Sequence, residues 1–370
     1  MDSRLYYIWL QRIVGAANRF TDYLFNKFSS AVEVYECRDF SFLPKGYSKY
    51  QDRLCNKDLS ASLEIYKTCV NRGIRFVTYH DEDFPPALRE IPDPPVMLFC
   101  YGDISRLANK QAVAIVGTRT CTEAGIEYAK VYAESFAKAG IAVISGLAKG
   151  IDGAANNAAL MNGGVSVGIL GTPIDKVYPP ENVRLFHTMY KSGLVISEYS
   201  PGADVGRYSF PARNRIISAL SDCTLVVEAA EGSGAIITAK RALQQNKPVY
   251  FVAGRVTVML DGAVSVSSPA EVMENMQLKD PTLRIPVTAY TVTKTKSYGR
   301  KITPPVQSKT KDTDELGLLK IISAGPATAT ELSDKTGISI DRIYELLTTL
   351  ELDGAIIAAA GGRYIKAGKQ

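Results

Sequence analysis

Residues 111–152 read QAVAIVGTRTCTEAGIEYAKVYAESFAKAGIAVISGLAKGID. An apolar, partly β-branched run, Ala112–Val116, stops at Gly117, and an amphipathic stretch, Glu123–Ala139, follows it. A second apolar run, Ala142–Ser145, then stops at Gly146. Short apolar runs alternating with segments of helix length are the pattern of parallel strands covered on both faces. The alternation continues through Ser166–Leu170, Leu194–Ser197, Thr224–Glu228 and Val249–Val252, with Ala235–Gln245 as a further crossover helix. It predicts an α/β protein built on a doubly wound parallel sheet. Seventeen of the 29 glycines fall in 109–278, several of them just after the strands. Ligands of such sheets bind beyond the carboxyl ends of the strands, so those glycines mark the expected working edge.

Outward from this block, residues 1–75 read as a small helical domain of the helix–hairpin–helix kind. Apolar positions recur at helical spacing in Leu5, Ile8, Trp9 and Ile13, and again in Tyr23, Leu24, Phe28 and Val32. Residues 76–108 are Pro-rich and read as an irregular connecting strap. Residues 312–370 read as a winged helix, with helices over Leu316–Ser323, from Thr328, and over Ile340–Leu352, then a hairpin wing over Ala355–Ile365. Between sheet and winged helix, 279–311 holds eight basic residues and one acidic. That excess, with four prolines and many threonines, reads as a basic linker. The winged helix itself carries six basic and nine acidic residues, with Arg342 the one basic side chain of its third helix. A groove reader needs several positive contacts, so a protein-interaction or regulatory role is expected of it.

Composition removes whole classes of chemistry. The 370 residues carry 43 Lys+Arg against 38 Asp+Glu, a net charge of +5. No run approaches a membrane-spanning length, and the N-terminus lacks a signal-peptide pattern, so a cytoplasmic location is expected. The six cysteines form no CxxC pair, and His80 and His187 are the only histidines. Nothing calls for a metal, a cofactor or a disulfide framework. Much of metal and acyl-transfer chemistry is therefore not expected, and no general acid–base pair stands out.

The expected edge carries anion-binding features instead. Gly117-Thr118-Arg119 follows the first strand, a glycine turn into a helix whose N–H groups and dipole suit phosphate. Ser145-Gly146 opens the second turn, where Lys149 can meet phosphate and Asp152 reads as a helix cap. Gly171, Lys176 and Tyr178 follow the third strand, and Tyr178 reads equally as a stacking platform or a core residue. Phe210, Arg213, Asn214 and Arg215 crowd a helix start. Gly232-Ser233-Gly234 opens another.

In order along the chain, VGTR, SGLAKGID, LGTPIDKVYPPEN, SEYSPG, FPARNRIISALSDCTLVVEA and EGSGAIITAKRAL resemble the DNA-processing protein A (DprA/Smf) family over most of 91–254. The resemblance implies an extended Rossmann domain, here 109–278, a helical N-terminal domain and often a C-terminal winged helix. It implies a homodimer without established catalytic activity that binds incoming single-stranded DNA, protects it and loads the RecA recombinase in natural transformation. The residues expected to contact DNA are Gly117, Thr118, Arg119, Ser145, Gly146, Lys149, Gly171, Lys176, Phe210, Arg213, Asn214, Arg215, Gly232, Ser233 and Gly234. Three positions depart from the family pattern: Asn156 stands where histidine is usual, Thr172-Pro173 replace a glycine, and Ala235 replaces a serine. The competing reading is a nucleoside-monophosphate phosphoribohydrolase of the lysine-decarboxylase-like group, in which Glu228 to Gly234 stands at the place of the glycine turn and catalytic glutamate. A transcription regulator built on the winged helix is the third, and its acidic charge disfavours it.

Overall fold

A computed structural model describes residues 2–279, except 207, 231 and 259, and much of 313–366. Five short helices lead: α1 Arg4–Val14, α2 Phe20–Phe25, α3 Ala31–Glu36, α4 Gln51–Cys55 and α5 Ser60–Asn71. Nine strands then form one sheet: β1 Arg75–Thr78, β2 Met97–Tyr101, β3 Ala112–Val116, β4 Ala142–Ser145, β5 Ser166–Leu170, β6 Leu194–Ser197, β7 Cys223–Val226, β8 Val249–Val252 and β9 Ala263–Val266. Their spatial order is β1-β2-β6-β5-β4-β3-β7-β8-β9. From β6 to β9 every pairing is parallel, while β2 runs antiparallel to β6 and β1 antiparallel to β2. Five of the six expected strands have the expected limits; the sixth lies slightly earlier, at Cys223–Val226.

The strap is the clearest departure. Residues 76–108 supply β2 and most of β1, so the segment read as irregular extends the sheet. Its prolines cluster between the two strands, and Met97–Cys100 are buried, as a strand flanked on both sides requires.

Alternation along β3 sorts its side chains to two cores. Val113 and Ile115 pack with α6 Glu123–Lys138, α7 Ile151–Met161 and α11 Pro269–Lys279 on one face. Ala114 and Val116 pack with α9 Ser209–Ala219 and α10 Gly234–Gln244 on the other. The third core joins the N-terminal helices to β2, β6 and α8 Val183–Ser192, through residues such as Trp9, Leu10, Phe20, Phe99, Val195 and Phe186. The helical region is therefore packed onto the antiparallel end of the sheet.

The chain lays down β3, β4, β5 and β6 outward in one direction, then returns to place β7 on the other side of β3. The loop after β3 leads to α6 on one face, and the loop after β7 leads to α10 on the other. A crevice opens at such a switch point.

The C-terminal winged helix consists of α12 Thr313–Ala324, β10 Ala327–Thr328, α13 Ala329–Thr336, β11 Ile356–Ala359 and β12 Arg363–Lys366, with its strands ordered β10-β12-β11. Thr328 starts α13 through a capping box with Glu331. Much of the expected third helix, the Gly361-Gly362 turn and nearly all of the basic linker lie outside the described residues. Among the described residues no helix is long and apolar enough to cross a membrane.

Candidate functional site

A cleft of about 600 Å³ lies at the switch point, between the turn after β3 and the N-terminus of α10. Of the fifteen residues singled out in the sequence, nine line it: Gly117, Thr118, Arg119, Phe210, Arg213, Asn214, Gly232, Ser233 and Gly234. A second, contiguous hollow adds Gly146, Lys149 and Gly171.

One wall is cationic and aromatic. Arg119 is exposed, with its guanidinium 5.5 Å from the centre of the Phe210 ring. Tyr178 stands on the other side, its ring centre 5.3 Å from that of Phe210, and it is 44% exposed. The sequence left Tyr178 between two readings; its exposure decides for the surface. The opposite wall is the start of α10, where Ser233 caps the helix by accepting from the Ala235 N–H. Gly232 holds a φ of +77°, a backbone conformation that glycine tolerates best. A helix start facing a guanidinium over a ring can grip an anion and a flat apolar group together.

The floor is charged and buried. Asp152, only 7% exposed, accepts from the Gly146 N–H at 3.1 Å and also from the Gly117 N–H. Two backbone donors expected to face phosphate are thus already taken by the protein's own carboxylate. Asp152 is not the cap of its helix, because Gly150 occupies that place. Burial pushes the Asp152 carboxyl up, against the pull of Arg213, Arg119 and these two N–H groups. Arg213 in turn donates to the carbonyls of Gly146, at 2.8 Å, and Ile169. Burial lowers its pKa to about 10, against the pull of Asp152. Arg213 therefore ties the ends of β4 and β5 together from beneath the cleft. Glycine at 146 and 171 serves close packing: a Cβ at 146 would stand 2.7 Å from the Arg213 guanidinium, and one at 171 would stand 2.7 Å from the Phe210 ring.

Three expected residues lie elsewhere. Arg215 is 1% exposed and pairs with Glu198 at 2.8 Å and Asp93 at 3.2 Å, away from the cleft. Burial works against its charge, but the two carboxylates outweigh it and its pKa is raised. Ser145 is fully buried and donates to the Ile115 carbonyl, locking β4 to β3. Lys176 is exposed on the loop after β5, outside both hollows. Lys149 is exposed and sits 3.9 Å from Glu181. Arg342 was set aside in the sequence as a lone cation. It lines the cleft and donates to the Gly232 carbonyl at 3.0 Å.

The carboxylate invoked by the hydrolase reading is engaged: Glu228 accepts from the Thr122 N–H at 2.9 Å and hydroxyl at 2.7 Å, and Arg255 lies 3.6 Å away. It holds the start of α6 and does not line the cleft. Among the described residues no group of three or more His, Cys, Asp or Glu side chains is arranged to hold a metal ion.

Residues 75–277 match the family model described as DNA recombination-mediator protein A. The chain belongs to that family. Residues 303–362 match a second model, the DprA winged helix domain. Protein Smf of Synechocystis is 41% identical over 179 residues, covering 48% of this chain and 45% of the relative. The DNA processing protein DprA of Bacillus subtilis is 32% identical over 224 residues, covering 57% of this chain and 75% of the relative. The X-ray structure of Streptococcus pneumoniae DprA superimposes with a TM-score of 0.61 at 29% identity, covering 74% of this chain and 97% of that one. The chain spans about half the length of several of the curated relatives it matches. Of the three departures from the family pattern, Asn156 is fully buried and donates to the Val167 carbonyl and the Ser166 hydroxyl, fastening α7 to β5. Only Ala235 lines the cleft.

Proposed function

We propose that this member of the DNA recombination-mediator protein A family binds single-stranded DNA in the β3/β7 cleft and does no covalent chemistry there. The observation that carries the reading is the row Arg119–Phe210–Tyr178 facing the start of α10. Phosphate meets Arg119 and the helix start, while a base stacks beside Phe210 on the exposed Tyr178 ring. A duplex keeps its bases stacked inside and offers no ring to Tyr178. The family role extends the proposal: the bound strand is protected and passed to RecA by a homodimer. Within the chain, 1–75, 76–108, 109–278, 279–311 and 312–370 act as helical unit, strap, DNA-binding body, linker and winged helix.

The test is fluorescence anisotropy with a single-stranded and a double-stranded oligonucleotide of one sequence across a salt series. Single-strand affinity should exceed duplex affinity and fall steeply with salt as counterions are released. Equal affinities, or a salt-independent one, would refute the proposal. RecA filament assembly on the same strand, with and without the protein, tests the loading role. Sedimentation tests the dimer.

A further inference from the structure

A third hollow, of about 490 Å³, lies on the helical unit between α2 and the 3-10 turn carrying Tyr47, with Pro92 of the strap at its rim. Tyr23 and Tyr47 stand there with ring centres 5.2 Å apart. Both lean on the buried Phe20 ring, at 6.1 and 4.7 Å, and both keep part of their surface open. Arg19 and Lys27 flank them, both exposed, and Lys27 sits 3.8 Å over the exposed Phe42 ring. Asp22 is the one acidic residue in the lining, against these two cations. Flat rings set between cations are the elements of a single-strand platform, because every base has a π-face and every nucleotide a phosphate.

Its place in the fold gives it a partner. The Ala17 N–H donates to Glu198 at 3.3 Å, and Asp93, next to Pro92, pairs with Arg215, which holds the same Glu198. Glu198 directly follows β6, so the hollow sits at the carboxyl end of β6, on the edge that carries the cleft at β3. From β3 to β6 is three strand spacings, roughly 14 Å. Lys149 and Lys176, both exposed, lie on the intervening loops after β4 and β5.

We infer that single-stranded DNA leaving the β3/β7 cleft runs along this edge and docks on the helical unit at Arg19, Tyr23, Lys27 and Tyr47. The inference rests on the proposed DNA-binding reading of the cleft and names a further site for the same ligand. Both ends of one strand segment are then held, and the site size exceeds what the cleft alone can fill.

The experiment compares oligothymidylates of about 4 and about 16 nucleotides, the range spanned by single oligonucleotide-binding folds, on the full chain. The double variant Arg19→Glu with Lys27→Glu changes two exposed side chains and should fold as wild type. It should bind the short strand as wild type does. It should bind the long one about tenfold more weakly, with a salt slope lower by about 1.4, roughly 0.7 for each lost phosphate contact. Photocrosslinking of a long strand carrying 5-iodouracil should label Tyr23 or Tyr47. Unchanged long-strand affinity and slope in the double variant, with no tyrosine adduct, would overturn the inference and assign the hollow to another kind of partner. The cleft is judged separately, by Arg119→Ala on the short strand. If that variant binds normally while the double variant fails on the long strand, the helical site stands and the cleft reading falls.

Discussion

Helix α9 sends two arginines to neighbouring places on the same sheet edge, and the two places differ in fate. Arg213 faces Asp152 under an open cleft, whereas Arg215 faces Glu198 and Asp93 beneath the helical unit. Both are buried guanidiniums set among carboxylates and strand ends. What separates them is what lies above: at β3 and β7 the loops diverge to opposite faces and leave a gap, while at β6 the N-terminal helices and the strap close over it. A cation at a sheet edge therefore says little about ligands until its cover is known. The groups open to a ligand in the cleft are exposed and partly restrained, as Arg119 and Tyr178 are, and the buried arginine serves the frame.

Removing Arg215 should break this comparison most severely. Arg215→Ala leaves Glu198 and Asp93 with no counter-charge, and loss of one partner of a buried pair costs about 3–5 kcal/mol. A denaturant melt should show this as a large drop in stability, and a change below about 1 kcal/mol would mean that water reaches the pair. Next comes Arg119→Ala, which should weaken single-strand binding roughly tenfold or more, the worth of a charged hydrogen bond. Its stability should stay within about 0.5 kcal/mol of wild type, as for an exposed side chain. If affinity held and stability fell, the roles of the two arginine sites would be reversed.

The sequence made much of this legible. Alternating apolar runs and glycine turns fixed β3, β4, β5, β6 and β8 to the residue, because parallel strands buried on both faces have few other readings. It also brought nine of the fifteen chosen residues to one cleft. Arg215 was misread because Arg213 and Arg215 were treated as one cluster, although residues two apart on a helix do not share a face. That signal was present in the spacing. The engagement of the Gly117 and Gly146 N–H groups by Asp152 was not, since it depends on how two separate turns meet. Nor were β1 and β2 readable in the strap, where prolines separate two short runs and β6, which joins β2 to the rest of the sheet, comes about a hundred residues later.

A smaller effect sharpens the account of the floor. Burial raises the Asp152 carboxyl above its ordinary value of 3.8. A raised carboxyl contributes stability that is full below the ordinary value and is lost as pH rises through the raised one. Asp152→Asn should abolish that part of the pH dependence, so the stability difference between variant and wild type should shift between acid and neutral pH. A pH-independent difference would show that Arg213 and Arg119 hold the group fully ionised throughout. Smallest of all should be truncation after Lys311. Single-strand affinity should stay close to wild type, since Arg342 meets a carbonyl at the cleft rim and no other described winged-helix residue lines it. A further cut after Lys279 should lower affinity modestly, and only at low salt, where the seven basic residues of 280–311 act. A large loss from the first cut alone would make the winged helix a direct DNA binder.

The shared core of the helical unit also sets an order of events during synthesis. Gln11 on α1 donates to the Glu198 carbonyl, a bond across 187 residues of chain. At about 5–20 residues per second, the first helices emerge from the ribosome roughly 10–40 seconds before the strand that completes their packing. Until then Trp9, Phe20 and their aromatic neighbours are left with part of their apolar surface uncovered. The N-terminal hundred residues should thus be the most protease-sensitive and chaperone-dependent part of the nascent chain, although in the finished protein Trp9 and Phe20 are buried.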